Sequence, residues 1–167
     1  MDKKLRLLTL SALFSAMIVA LTTFIKFPVG NGYVHMGDSI IYLASCILPL
    51  PYAASVAAVG GALADALGGY AIYIVPSAII KITITLPFTS KNDRILTKRN
   101  AVMVIPAGVI TIVGYFITGL MFFGWSGAVV GLVGDAIQAT SNAVLFLVFS
   151  AALDKAKIKE IILGRSW

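Results

Sequence analysis

The chain has 167 residues, 59% of them hydrophobic and 12% charged, with 13 Lys and Arg against 7 Asp and Glu for a net charge of +6. A soluble domain carries roughly 25% charged residues, so composition excludes one here, and a mean hydropathy of +0.97 agrees. The placement of the positive charge also excludes a nucleic-acid face: the basic residues stand in three clusters, each bordering a long apolar run, where Lys and Arg mark the cytoplasmic side of a membrane protein.

The first cluster, Lys3, Lys4 and Arg6, opens the chain. The apolar run Leu7–Ile25 that follows exceeds the roughly 7–15 residues of a secretory signal core and approaches the about 20 that span a bilayer. It predicts a first helix over 5–27, with the N-terminus inside. Ala12, Ala16 and Ala20 recur every four residues on it and form a stripe of small side chains against which another backbone can pack. The glycine-rich segment Phe27-Pro28-Val29-Gly30-Asn31-Gly32 ends the helix. A second helix over 38–50 is cut by Pro49-Leu50-Pro51, a third over 51–67 by Gly68-Gly69, and a fourth runs over 70–88. The second and third are short, which predicts tilt or incomplete crossing. The spacing of Ala53, Ala57, Gly61 and Asp65 on the third reads as packing within the bundle. The second basic cluster is Lys91, Arg94, Lys98 and Arg99. A fifth helix over 101–123 breaks near Gly124-Trp125-Ser126-Gly127, and a sixth over 127–153 leads to Lys155, Lys157, Lys159 and Arg165. If all three clusters are cytoplasmic, each part between them holds an even number of spans. The prediction is an all-α integral membrane protein, a single domain over 1–167, with six transmembrane helices and both termini cytoplasmic. The lone Cys46 lies in an apolar run and reads as a small buried hydrophobe.

Under this topology residues 28–37, 68–73 and 122–127 face outward, carrying Tyr33, Tyr70, Tyr73, Phe122, Phe123 and Trp125. An interfacial aromatic belt would place such residues on any membrane protein. A stacking surface for a flat ligand would do the same on one side only, and the inner side has just Tyr52 and Trp167. A charge deep in a bilayer costs at least ~2.5–3.5 kcal/mol, so each needs a reason. Asp38 or Ser39 can cap the second helix. His35 is the single histidine, too few for a metal centre of three or four ligands, but able to bond a ligand at a cavity mouth. Asp65 lies near the outer end of the third helix. Lys81, deeper, pairs with Asp65 only if 68–75 is irregular and dips inward, which Pro76 permits; otherwise it reaches a carbonyl or snorkels, a structural role. Asp135, Gln138 and Asn142 share one face of the sixth helix. That face either bonds a neighbouring helix or lines a cavity, and Asp135 and Gln138, nearer the outer end, are assigned to the cavity.

The sequence holds no G-x-x-x-x-G-K-[ST] loop, H-E-x-x-H or G-x-G-x-x-G. Gly124-Trp125-Ser126-Gly127 resembles the G-x-S-G nucleophile string of rhomboid proteases, but that chemistry needs a histidine on a later helix and none follows Ser126.

Four stretches together resemble the substrate-binding S components of energy-coupling factor (ECF) transporters: Ala12-x-x-x-Ala16, His35-Met36-Gly37-Asp38, Gly134-Asp135-x-x-Gln138, and Ala64-Asp65-Ala66-Leu67-Gly68-Gly69-Tyr70-Ala71-x-Tyr73 through Ile79-Ile80-Lys81. The last is similar to the riboflavin, hydroxymethylpyrimidine and pyridoxine subgroup. The resemblance implies a binding subunit in the bacterial plasma membrane, without catalytic residues, cofactor or metal. Helix 1, through Ala12, Ala16 and Ala20, would dock on a transmembrane coupling subunit driven by two ATPase subunits. Tyr33, His35, Asp38, Asp65, Tyr70, Tyr73, Trp125, Asp135, Gln138 and Asn142 would surround the ligand. The family pattern often has asparagine where this chain has Asp135, which points to a cationic or donor-rich ligand. The expected order is a pyrimidine- or pyridoxine-like compound, then riboflavin, then a queuosine-type deazaguanine precursor. Two other readings stay open: a proton-coupled secondary transporter using Asp65 or Asp135 as relay, although no internal repeat is visible, and a membrane enzyme using Ser126.

Overall fold

The computed structural model describes residues 2–29 and 32–163. Arg165 and Trp167 therefore lie outside the described residues. The elements in order are α1 (Lys3–Phe24), β1 (Lys26–Val29), β2 (Gly32–His35), α2 (Gly37–Ile47), α3 (Leu50–Gly68), a 3-10 turn (Ala71–Tyr73), α4 (Ile74–Thr83), α5 (Lys98–Val102), α6 (Val104–Lys155) and α7 (Ile158–Leu163). The fold is an all-helical membrane bundle with one small addition. Helix α1 stops three residues before its predicted end, and Lys26–Val29 pairs antiparallel with Gly32–His35, Lys26 opposite His35 and Pro28 opposite Tyr33. Proline and glycine end the helix here, and the short β-rich stretches Lys26–Val29 and Tyr33–His35 satisfy their backbone groups by pairing with each other.

Each predicted span contains a helical segment, but the segments differ in reach. Among the described residues, three helices are long and apolar enough to cross a membrane: Lys3–Phe24, Leu50–Gly68 and the stretch Lys98–Lys155. Helix α2 has only 11 residues, about 17 Å at 1.5 Å per residue, and every one of them is buried. A helix buried on every face belongs in the middle of a bundle: α1, α3 and α6 surround α2. The hairpin continues from its N-terminal end. Helix α4 ends at Thr83, and 84–87 continue as tight turns rather than as helix to 88.

Helix α6 would be about 78 Å long if straight, far more than a bilayer. It is two helices. Gly124 has φ 68° and ψ −170°, a conformation open essentially to glycine alone. The halves then fold back on each other. A Cβ on Gly119 would lie 3.0 Å from the Ala128 Cα, and one on Gly108 would lie 3.4 Å from the Ala139 Cβ. These two contacts sit at matching distances either side of Gly124, so the halves are antiparallel, held close by small residues.

The three basic clusters meet at one end. Arg6 Nη1 donates to the Leu163 carbonyl at 2.8 Å, and the Asp154 carboxylate accepts the N–H groups of Ile95 and Leu96, both at 2.8 Å. The hairpin, the 3-10 turn and Gly124 form the other end.

Candidate functional site

The hairpin end encloses a narrow cavity of about 70 Å³, walled by the hairpin, the α3–α4 connection and both halves of α6. Seven of the predicted site residues line it: Tyr33, His35, Asp65, Tyr70, Tyr73, Asp135 and Gln138.

The aromatic wall begins on β2. Tyr33 stacks at a tilt on Tyr70, centroids 4.4 Å apart, and its hydroxyl donates to Asp65 Oδ1 at 2.6 Å. Tyr70 is placed by the end of α3, where Gly69 takes a left-handed conformation (φ 83°) and the Tyr70 N–H returns to the Asp65 carbonyl, a common helix stop. Lys26 donates to the Gly68 carbonyl and lies 5.1 Å and 5.2 Å from the Tyr33 and Tyr70 ring centres, a cation over two π faces. Tyr73 continues the wall toward Phe122 and Phe123, at 6.1 Å and 6.4 Å.

The polar groups divide into two sets. The first supports the cavity from below. Asp38, in the first turn of α2, pairs with Lys81 from α4 at 2.5 Å, both side chains buried, and accepts from Gln138 Nε2 at 3.2 Å. Asn142 Oδ1 accepts the Ser39 N–H, while its amide nitrogen donates to the carbonyls of His35 and Gln138, all at 2.8 Å. This web ties the hairpin, α2, α4 and the second half of α6 together. It corrects the expectation for Lys81: its partner is Asp38, and Gly61 leaves room for the Lys81 stem, whose Cγ would lie 3.0 Å from an added Cβ. Asp38 makes no cap bond; Met36 holds the cap position.

The second set faces the cavity with capacity to spare. Asp65 is 5% exposed, and its Oδ2 is buried with no hydrogen-bond partner among the described residues. Asp135 is half-buried and makes no hydrogen bond or ion pair among the described residues. His35 Nδ1 accepts the Gly37 N–H at 3.0 Å, which leaves the ring proton on Nε2. The cavity therefore offers acceptors on Asp65 and Asp135 and a donor on His35.

The remaining expected residues lie elsewhere. Asp38 and Asn142 are fully engaged in the supporting web and do not line the cavity. Trp125 is 71% exposed and edge-on to Phe116, outside the cavity. Ser126 is exposed. Sequence reasoning passed over Ser77 and Tyr115, whose hydroxyls bond at 3.0 Å in the lining. The signal was a tyrosine in the middle of the fifth apolar run, where a hydroxyl needs a partner. It also passed over Gly127, Gly131 and Gly134, whose spacing with Asp135 and Gln138 marks one bare helix face.

On helix 1, Ala12, Ala16 and Ala20 are all exposed, while Phe14 and Ile18 point into the bundle.

The sequence profile of the family described as "ECF-type riboflavin transporter, S component" matches residues 3–155. A protein from Pyrococcus woesei, described as an uncharacterized protein in the gap 3' region, is 27% identical over 125 residues, covering 72% of this chain and 82% of that protein.

Proposed function

This chain belongs to the ECF-type riboflavin transporter S component family, a family of membrane transport subunits rather than enzymes, and from that premise we propose that it binds one small heterocyclic micronutrient in the cavity at its hairpin end. The observation that carries this reading is the pairing of a tyrosine wall with unsatisfied acceptors. Tyr33, Tyr70 and Tyr73 offer faces to a flat ring, and such a pocket needs only a few polar groups to fix orientation. The buried Asp65 Oδ2 without a partner costs about 1–3 kcal/mol as it stands, a cost that a ligand N–H or O–H would remove.

Asp65 and Asp135 favour a ligand bearing N–H or O–H donors or a positive charge over a phosphate ester, which would meet two carboxylates. A pyrimidine or pyridoxine-like compound fits best, riboflavin next, then a deazaguanine precursor. Two pairs of aromatics, Tyr33–Tyr70 and Tyr73–Phe123, stand in the cavity wall.

In the same reading all six segments lie in the cell membrane, with α2 and α4 crossing together with the chain that continues them. The basic end faces the cytoplasm and the hairpin end outward. The exposed alanines of α1 dock on a coupling subunit, and partner ATPases supply the energy.

The test is native mass spectrometry of the purified protein in mild detergent with pyridoxine, hydroxymethylpyrimidine, riboflavin and a deazaguanine. One of them should bind one-to-one, and Tyr70→Ala and Asp135→Ala should each weaken it at least about tenfold, the equivalent of ~1.4 kcal/mol. Ligand uptake into liposomes by this chain alone, driven by a proton gradient without ATP, would overturn the proposal in favour of a secondary transporter.

A further inference from the structure

A second cavity, of about 1060 Å³, opens at the basic end, away from the tyrosine wall. Its construction is that of a preformed site. The wall is the non-helical segment 84–97, and three polar side chains pin it, Asn100 and Lys159 buried and Asp154 partly so. Asn100 donates to the carbonyls of Thr89 and Ile95, both at 3.0 Å. Asp154 takes the N–H groups of Ile95 and Leu96. Lys159 Nζ donates to the carbonyls of Cys46, Ser90 and Asn92. An ammonium has three protons, so Lys159 is spent on the wall.

The lining is amphiphilic. Ile47, Phe88 and Leu163 are buried apolar side chains at its base. Lys91, Arg99 and Lys157 are exposed at its rim, with Asp93 and Glu160 beside them. Among the described residues the one ion pair is Lys81–Asp38, so none of the three rim cations is paired with either rim carboxylate. The rim cations outnumber the carboxylates.

Lys157 carries independent evidence. It follows the end of α6, its N–H bonded to the Asp154 carbonyl, and has φ 53°. This is the helix-ending position that glycine normally fills, because a side chain is strained there. A lysine in that place is held against backbone preference, and an outlier of this kind points to a use for the side chain.

We propose that this cavity binds the head group of an anionic phospholipid, the phosphate resting on Lys91, Arg99 and Lys157 and the first acyl carbons on Ile47, Phe88 and Leu163. Basic pockets between transmembrane helices at the cytoplasmic interface suit such head groups. The apolar base favours a lipid over a soluble phosphate ester. The inference does not depend on which micronutrient the outer cavity takes.

Native mass spectrometry of the full chain, released from micelles holding equal phosphatidylglycerol and phosphatidylcholine, tests it. The wild type should retain phosphatidylglycerol about fivefold or more over phosphatidylcholine, consistent with a few surface cations acting on an anionic lipid. The K91A/R99A/K157G variant should lose the preference. K4A/R94A/K98A, which removes three charges at the same end outside the cavity, should keep it. K157G alone should lower retention about twofold or more while leaving the Tm unchanged or raised, since glycine relieves the strain. Equal retention of the two lipids by the wild type, equal loss in both triple variants, or displacement of the lipid by a tenfold excess of sn-glycerol 3-phosphate would overturn the proposal.

Discussion

Buried charges decide most of what happens at single residues in this bundle. Lys81 and Asp38 are far apart in sequence, both buried, and each compensates the other. Removing one partner leaves a charge in a low dielectric, which typically costs about 3–5 kcal/mol, whereas replacing both with apolar residues can be neutral. Asp38→Asn should therefore lower the Tm in detergent sharply, while D38L/K81M should recover most of the loss. Equal losses in both variants would mean that packing around the pair, not its charge, holds α2 against α4. The pocket residues behave differently. Asp65 and Asp135 keep bonding capacity that no described residue uses, so replacing Asp135 should change ligand affinity more than stability. The sequence marked both aspartates and Lys81 as out of place in an apolar chain. It did not reveal that Tyr33 would bond Asp65 or that Lys81 would pair with Asp38, because both contacts depend on where the hairpin and α2 come to lie.

At the scale of elements, the turn residues carry the architecture. Gly124 divides one apolar stretch of 52 residues into an antiparallel pair, through a backbone conformation that a Cβ opposes. Gly124→Ala should cost roughly 1–3 kcal/mol, seen as a lower Tm and as loosened packing between the two halves of α6; a Tm within a degree of wild type would show that the turn has another way to form. Both faces of this turn bear on the site, since Phe123 and Gly127 line the cavity on either side of it. The sequence located this break within the stretch Gly124–Gly127, as it located the breaks at Pro49–Pro51 and Gly68–Gly69. The hairpin was not legible. Its strands are four residues each, too short for alternation to stand out beside the apolar run of α1. They exist because Lys26–Val29 and Gly32–His35 satisfy their backbone groups by pairing with each other once α1 has ended.

At the scale of the whole molecule, polarity is sorted end to end. The basic clusters converge at one end, tied by Arg6 to Leu163 and by Asp154 to the 84–97 segment. The aromatic and acidic pocket occupies the other. Helix α1 lies along one side with its alanines bare. If a coupling subunit packs there, Ala16→Trp should block uptake in cells or in liposomes holding the full transporter, while ligand binding to the isolated subunit stays within about twofold. Loss of binding as well would place the effect inside the bundle.

The sequence by itself determined that this is a helical membrane protein, where its helices break, which ends carry positive charge, and which family it belongs to. Those features follow from local chemistry: apolar runs seek lipid, proline and glycine interrupt helices, and each intramembrane charge requires a partner. Tertiary structure alone decided which charge met which. The Asp38–Lys81 pair, the Tyr33–Asp65 bond, the withdrawal of Asn142 into the supporting web and the outward turn of Trp125 all depend on how the hairpin and the two halves of α6 close over α2. Separations of roughly 30 to 100 residues in sequence become contacts of about 3 Å, and no local pattern encodes a contact made by packing.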